Sequence, residues 1–224
     1  MNKVLFLVVV IASSTLSGCG ALNEKLADRH ETVEIYHIFD VKTSVTPESI
    51  IRASADGLAR NTNSVVQNRP LQMGWKVPAE PGRFDIVNVA DAFKGTGISN
   101  LLSLANGAGT TTPRVAKCDG AVWTSKANRH ITGFENLNLY TCLYRYKKGY
   151  QVDMYAVFQK KSGGINGLIR DAAGALTGTA DQWVNKTIVD TVRSIEAATN
   201  SKVVRIEGQP ELSDLPNVDR LTFQ

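Results

Sequence analysis

The chain has 224 residues and a formal net charge of +4, from 25 Lys and Arg against 21 Asp and Glu. Hydrophobic residues make up 43% of it and charged residues 21%, which excludes a wholly disordered chain and a bundle of membrane-spanning helices. A nucleic-acid-binding protein usually concentrates a larger basic excess on one face, so we expect no nucleic-acid partner. The length suits one folded domain with a sizeable core.

The first residues combine a short basic start, an apolar run over residues 4–12 and the sequence Leu16-Ser17-Gly18-Cys19. The apolar run is too short to remain as a membrane-spanning helix. An apolar residue and two small residues before a cysteine resemble the signal of a bacterial lipoprotein. The resemblance implies cleavage before Cys19, a diacylglyceryl group on its sulfur and a fatty acid on the new amine, which together form a stable anchor. An ordinary secretory signal with a chance cysteine is the alternative.

Gly20 bears on which membrane holds the anchor. In the lipoproteins that this signal resembles, an Asp after the cysteine retains the protein in the inner membrane, so Gly20 favours the outer membrane. We therefore expect a protein anchored in the outer membrane and facing the periplasm. Residues 1–18 would be the signal peptide, 19–31 the lipidated cysteine and tether, 32–208 the folded domain and 209–224 a tail.

The start of the folded domain predicts a strand and then a helix. Residues 32–43 alternate between apolar and polar side chains, which is typical of a strand with one apolar face. Thr46-Pro47-Glu48 supplies a hydroxyl cap, a proline for the first turn and an acid near the positive end of the helix dipole, so a helix should begin there. Its apolar stripe is Ile51, Ala55, Leu58 and Ala59, and it should end at residues 61–63.

Prolines and glycines interrupt the middle of the chain. Residues 72–77 and 84–89 are the best strand candidates, and residues 98–105 predict a short helix. Residues 107–113 have the composition of a linker. A division into two smaller subdomains near Gly107 is the alternative to a single domain.

The pattern after residue 113 is again that of β structure. Residues 121–127 predict a strand, and residues 137–147 and 150–160 predict the clearest hairpin. Its turn is expected at Lys148-Gly149, either as a two-residue loop or with Gly149 in the left-handed position of a three-residue loop.

Two helices and a strand complete the predicted domain. Residues 165–176 carry an apolar stripe, and Thr179-Ala180-Asp181-Gln182 is typical of a capping box that opens a longer helix. That helix should cross one face of the sheet and bury Val184, Ile188, Val192 and Ile195; residues 202–207 predict a last strand. Because hairpins outnumber crossover connections, we expect an α+β fold, a mainly antiparallel sheet with helices packed on one face, in a single domain.

Cys118 and Cys142 remain after the lipidated cysteine is set aside. A periplasmic address is oxidising, so the pair predicts a disulfide, and two buried free thiols are the alternative. The spacing is neither that of a catalytic Cys-x-x-Cys nor that of a zinc site.

Residues with catalytic or metal-binding chemistry do not form a recognisable set. His30, His37 and His130 lack the spacing of metal ligands, and the spacing of Asp119, Glu135 and Asp153 selects no mechanism. We therefore expect no metal, no cofactor and no enzymatic activity.

The main hairpin is apolar on both faces, with Leu137, Leu139 and Leu143 on one face and three tyrosines, Tyr140, Tyr144 and Tyr146, on the other. The tyrosines either line a core or form an aromatic contact surface for a partner. Arg145, Lys147 and Lys148 cluster at the hairpin tip. Such a cluster is either simply solvated or contacts anionic lipid or an acidic partner.

These observations favour a lipid-anchored, non-enzymatic protein that serves as a binding or assembly module in an envelope complex. One alternative is a carrier or sensor of a small apolar ligand, held in a cavity between sheet and helices. A hydrolase of envelope material is the third hypothesis.

Overall fold

A computed structural model of the chain describes residues 29–71, 76–89, 114–130, 137–162 and 179–210. Several predicted features lie outside these residues. They are the signal with Cys19, most of the tether and of the strand at 72–77, the helices at 98–105 and 165–176, the linker at 107–113, Glu135, and nearly all of the tail at 209–224.

The described residues form an α+β fold, as predicted. Six antiparallel strands make the main sheet in the order β2-β5-β6-β7-β1-β8, and β3 and β4 pair with each other in a small second sheet. In chain order the elements are β1 (Arg29–Val41), α1 (Pro47–Ala59), β2 (Ser64–Asn68), β3 (Asp85–Asn88), β4 (Arg114–Lys117), β5 (Trp123–Arg129), β6 (Leu137–Tyr146), β7 (Gly149–Ser162), α2 (Ala180–Thr199) and β8 (Val203–Gln209).

One face of the main sheet is covered by α1 and α2, because each helix has an apolar stripe to bury. The sheet contributes Trp123, Leu137, Leu139, Leu143 and Met154 to this core, and the helices contribute Ile50, Ile51, Leu58, Val184, Ile188 and Ile195. Of the predicted stripes, Ala55 and Val192 are only half-buried and Ala59 is exposed. All three therefore lie at the edge of the helix layer.

Local sequence signals begin both helices where they were predicted. Pro47 occupies the first turn of α1, and Thr46 precedes it in an extended conformation, but the predicted cap from the Thr46 hydroxyl is not formed. At α2, the backbone N–H of Thr179 donates to Oε1 of Gln182 at 2.9 Å, which is the reciprocal bond of the predicted capping box. The two helices approach closely at Gly57, where a Cβ atom would overlap the Cα of Thr191.

The opposite face of the sheet is covered by the small β3–β4 sheet and the segment before it. Phe84, directly before β3, packs beside Tyr36 and Tyr155. Ala121, Cys142 and Tyr144 are buried in the same second core. Cys118, directly after β4, lies at disulfide-bond distance from Cys142 in β6, with 5.6 Å between their Cα atoms. The predicted pairing therefore joins this cover to the centre of the main sheet.

The turn of the main hairpin differs from both predicted forms. Tyr146 pairs with Gly149, so the loop is Lys147-Lys148 and lies one residue earlier than expected. Gly149 is the first residue of β7, with φ 151°. A Cβ atom there would overlap the carbonyl oxygen of Val41. Glycine is therefore needed at this position for the close contact with β1, and not for the turn itself.

Candidate functional site

A basic groove of about 480 Å³ lies between the tip of the β6–β7 hairpin and the connection from β1 to α1. It is lined by residues 42–45 on one side and residues 145–150 on the other. The pairing of Val41 with Tyr150 brings these two segments together. We refer to this feature as the tip groove.

Internal hydrogen bonds hold the walls of the tip groove. The hydroxyl of Tyr146 donates to Oδ1 of Asp40 at 2.6 Å, and the hydroxyl of Tyr150 donates to the carbonyl oxygen of Val45 at 2.9 Å. The backbone N–H of Lys147 donates to the carbonyl oxygen of Pro78 at 2.9 Å. The hairpin tip is therefore tied to β1, to the β1–α1 connection and to the segment before β3.

The two tyrosines of the groove remain neutral. Burial raises the pKa of Tyr146, and its bond to Asp40 raises that pKa further. Burial also raises the pKa of Tyr150. Both hydroxyls are committed as donors inside the protein, so neither is suited to act as a base on a bound molecule.

Four cations line the tip groove: Lys42, Arg145, Lys147 and Lys148. The three lysines are exposed and Arg145 is half-buried. None of the four forms an ion pair with another residue of the described ranges. The neighbouring acids Asp40, Glu48 and Glu80 do not line the groove. Their carboxylates act on Tyr146 and Tyr150 in the groove wall and offset part of the positive charge, but the charged side chains that line the groove are all cations, which suits it to bind an anion.

Sequence reasoning had selected Arg145, Lys147 and Lys148 but missed Lys42. Lys42 lies more than a hundred positions earlier in the chain, and only the pairing of β1 with β7 brings it to the hairpin tip. Its place on the polar side of the β1 alternation was visible in the sequence, but the strand pairing was not.

The predicted aromatic contact surface is not exposed. Tyr144 and Tyr146 are 1% and 6% exposed, and Tyr144 lies under Gly82 in the second core. Tyr140 is half-buried; its ring stacks on Tyr155, and the Nζ of Lys126 lies 5.7 Å from its centroid. The tyrosines of this hairpin therefore follow the core alternative, while the basic residues beside them remain accessible.

Asp153 is a buried carboxylate under the cover. It accepts the backbone N–H of Phe84 and the Nε2 of Gln151, each at 2.9 Å, and that Nε2 also donates to the carbonyl oxygen of Gly82. Burial raises the pKa of Asp153 to about 6 in spite of these bonds, which lower it. Asp153 is only 1% exposed, so a substrate could not reach its carboxylate. Its hydrogen bonds instead connect β7 to the segment before β3.

A second carboxylate, Glu207 in β8, also holds the cover. It accepts both terminal nitrogens of Arg83 at 2.8 Å and the hydroxyl of Tyr36 at 2.9 Å. The bonds from Arg83, and then that from Tyr36, lower the pKa of Glu207 to about 2.

Among the remaining candidate residues whose side chains the structure describes, none converge on a site. His37 is buried, and its Nδ1 accepts Nε of Arg205 at 3.3 Å. Asp119 pairs with Lys117 on the surface. No group of three or more His, Cys, Asp or Glu residues within the described ranges is arranged to hold a metal ion.

No family model and no curated protein matches this chain. In the part of the chain that the structure describes, no helix combines the length and the apolar character needed to cross a membrane.

Proposed function

We propose that this protein is a lipid-anchored, non-enzymatic module of the bacterial envelope that binds a partner through the tip groove. The observation that carries the proposal is the arrangement of the groove and the N-terminal end of β1. They lie at opposite ends of the same strand.

Strand β1 runs between the N-terminal end of the described domain and the tip groove. It has 13 residues; the first, Arg29, pairs with Ser162, and the last, Val41, pairs with Tyr150. At about 3.3 Å per residue, the strand separates the two ends by about 40 Å. An anchor at Cys19 ties the first end to the membrane through a short tether, so the tip groove becomes the distal end of the domain.

The chemistry of the groove supports binding over catalysis. Its tyrosine hydroxyls donate to Asp40 and Val45, the hydroxyl oxygen of Thr43 accepts the backbone N–H of Val45, and its charged side chains are all cations. General acid–base or nucleophilic catalysis needs a base close to a nucleophile or to the proton that moves. Lysines and an arginine around an open groove instead attract and orient an anion.

A carrier of an apolar ligand between sheet and helices is less well supported. Trp123, Leu143 and Met154 from the sheet and Val184 and Ile188 from α2 are all buried in that layer. A ligand there would have to displace packed side chains, at the cost of their contacts.

Two measurements test the proposal. Membrane fractionation and mass spectrometry of the mature N-terminus should give a lipid-modified Cys19 in the outer-membrane fraction. Cross-linking in intact envelopes, followed by affinity purification, should recover a partner with the wild-type chain. The triple variant Lys42→Gln/Lys147→Gln/Lys148→Gln should lose that partner while remaining anchored. An unmodified terminus at another residue would overturn the anchor, and an unchanged set of partners would overturn the role of the groove.

A further inference from the structure

We infer that the tip groove recognises a compact, multiply charged anion, chemically a phosphate monoester. The inference rests on the proposed binding role of this groove and names its ligand class. It does not depend on the lipid anchor.

The cations converge on one small volume. Lys42 comes from the β1–α1 side, and Arg145, Lys147 and Lys148 come from the hairpin side, so the charges face the groove from both walls. A groove of about 480 Å³ matches small-ligand sites in size.

The number of cations favours phosphate over carboxylate. A phosphate monoester carries about −1.5 to −2 charges near neutral pH and three acceptor oxygens, whereas a carboxylate carries one charge. Several lysines can donate to different oxygens of one phosphate, and the arginine can contact two of them at once. A single carboxylate has fewer acceptor oxygens and less charge, so it would contact fewer of the four lining cations.

Internal contacts hold both walls of the tip groove in place. Hydrogen bonds from Tyr146 and Tyr150 and the close approach of Gly149 to Val41 hold both segments before any ligand arrives. A preorganised groove loses less conformational entropy when it binds. The exposed lysines then supply charge without having to displace an internal partner.

Phosphate monoesters reach an envelope protein from two sources, as small soluble compounds or as lipid headgroups. We therefore propose two probes for the purified full chain in a non-ionic detergent, namely glycerol phosphate and short-chain phosphatidic acid. Isothermal titration calorimetry at low salt should detect binding of at least one of them, and added salt should weaken it. Equal affinity for both probes supports a soluble ligand, and a clear preference for phosphatidic acid supports a lipid headgroup.

The variant Lys42→Gln/Lys147→Gln/Lys148→Gln should weaken binding at least about tenfold, a difference of roughly 1.4 kcal/mol, because it removes three of the four cations that line the groove. A matched control, Lys76→Gln/Lys160→Gln/Lys202→Gln, removes the same charge from exposed lysines outside the groove. It should leave the affinity within about twofold of the wild type, a difference of roughly 0.4 kcal/mol. Equal loss in both variants would show that net charge alone attracts the probe and would overturn the proposal.

A second measurement needs no substitution. The bound probe should protect Lys42, Lys147 and Lys148 from an amine-acetylating reagent, while Lys76 and Lys160 react as before. If neither probe binds, or if protection is uniform over all lysines, the groove does not recognise phosphate. In that case the envelope cross-linking experiment still stands as a separate test of whether the groove binds any partner.

Discussion

At the scale of single residues, Asp153 makes stability depend on pH. Burial raises its pKa to about 6 in the folded state from an ordinary value of 3.8, so folding disfavours the ionised form. The stabilising contribution is fully present below the unfolded pKa and is lost as the pH rises through about 6. A pKa shift of this size changes the free energy of unfolding by roughly 2–3 kcal/mol at most.

We therefore predict that the free energy of unfolding falls between about pH 4 and pH 7 in the wild type and that Asp153→Asn flattens this part of the profile. Asn, like the protonated acid, has a single carbonyl oxygen to accept from Phe84 or Gln151, so the stability of the variant should differ least from that of the wild type at low pH and most above about pH 6. Urea unfolding across this pH range measures both effects. Glu207, whose pKa is lowered to about 2, gives the opposite slope in more acidic solution and cancels in the comparison. Parallel profiles for the two proteins would contradict the assignment.

At the scale of elements, Gly149 determines how the hairpin tip meets β1. A Cβ atom at this position would overlap main-chain atoms of Val41 and Thr43, and its φ of 151° disfavours other residues. We predict that Gly149→Ala destabilises the fold by roughly 2–4 kcal/mol, from strain and overpacking together. Because the substitution moves one wall of the tip groove, it should also weaken ligand binding.

Gly120 offers a matched control. It also has positive φ, 78°, but a Cβ atom there meets nothing within 4 Å. Gly120→Ala should therefore cost only about 1–2 kcal/mol of backbone strain and leave the groove unchanged. Thermal unfolding and calorimetry of both variants separate strain from the close contact. If Gly149→Ala and Gly120→Ala destabilise the fold equally, the close contact of residue 149 with β1 does not contribute to the loss of stability.

The elements differ in how well the sequence predicted them, and the reason is whether their signals are local. The capping box of α2, Pro47 of α1 and the alternation of β1 depend on neighbouring residues; the starts of both helices were predicted correctly, and the bounds of β1 were two or three residues off. Strand β2 was not among the strand candidates from the sequence. It is almost entirely exposed, so its residues lack the alternation of apolar and polar side chains that marks a half-buried strand. The hairpin turn was wrong because Gly149 was interpreted as a turn glycine, whereas its small size serves a contact with a strand more than a hundred positions away.

At the scale of the whole molecule, long-range pairing assembles both the cover and the candidate site. Sequence patterns predicted an antiparallel sheet with helices on one face, but not that the β3–β4 sheet would cover the tyrosines. That cover depends on Glu207 with Arg83, Asp153 with Phe84, and the disulfide, each of which joins distant positions. The basic residues of the hairpin were candidates from the sequence, but the groove that they line became visible only when β1 was placed beside β7.

The disulfide should matter most for this cover. Cys118 and Cys142 are 24 positions apart, and the bond ties the end of β4 to the middle of β6. We predict that Cys118→Ala/Cys142→Ala lowers the free energy of unfolding by about 3–4 kcal/mol, from the greater entropy of the unfolded chain.

In the folded variant, amide hydrogen exchange should accelerate more in β3 and β4 than in α1 and α2. The two strands depend on the disulfide for their attachment, whereas the two helices pack on the other face of the sheet. The tip groove lies outside the bonded loop and should keep its affinity for phosphate probes. Uniform acceleration over the whole domain would mean that the bond stabilises the fold globally and does not specifically hold the cover.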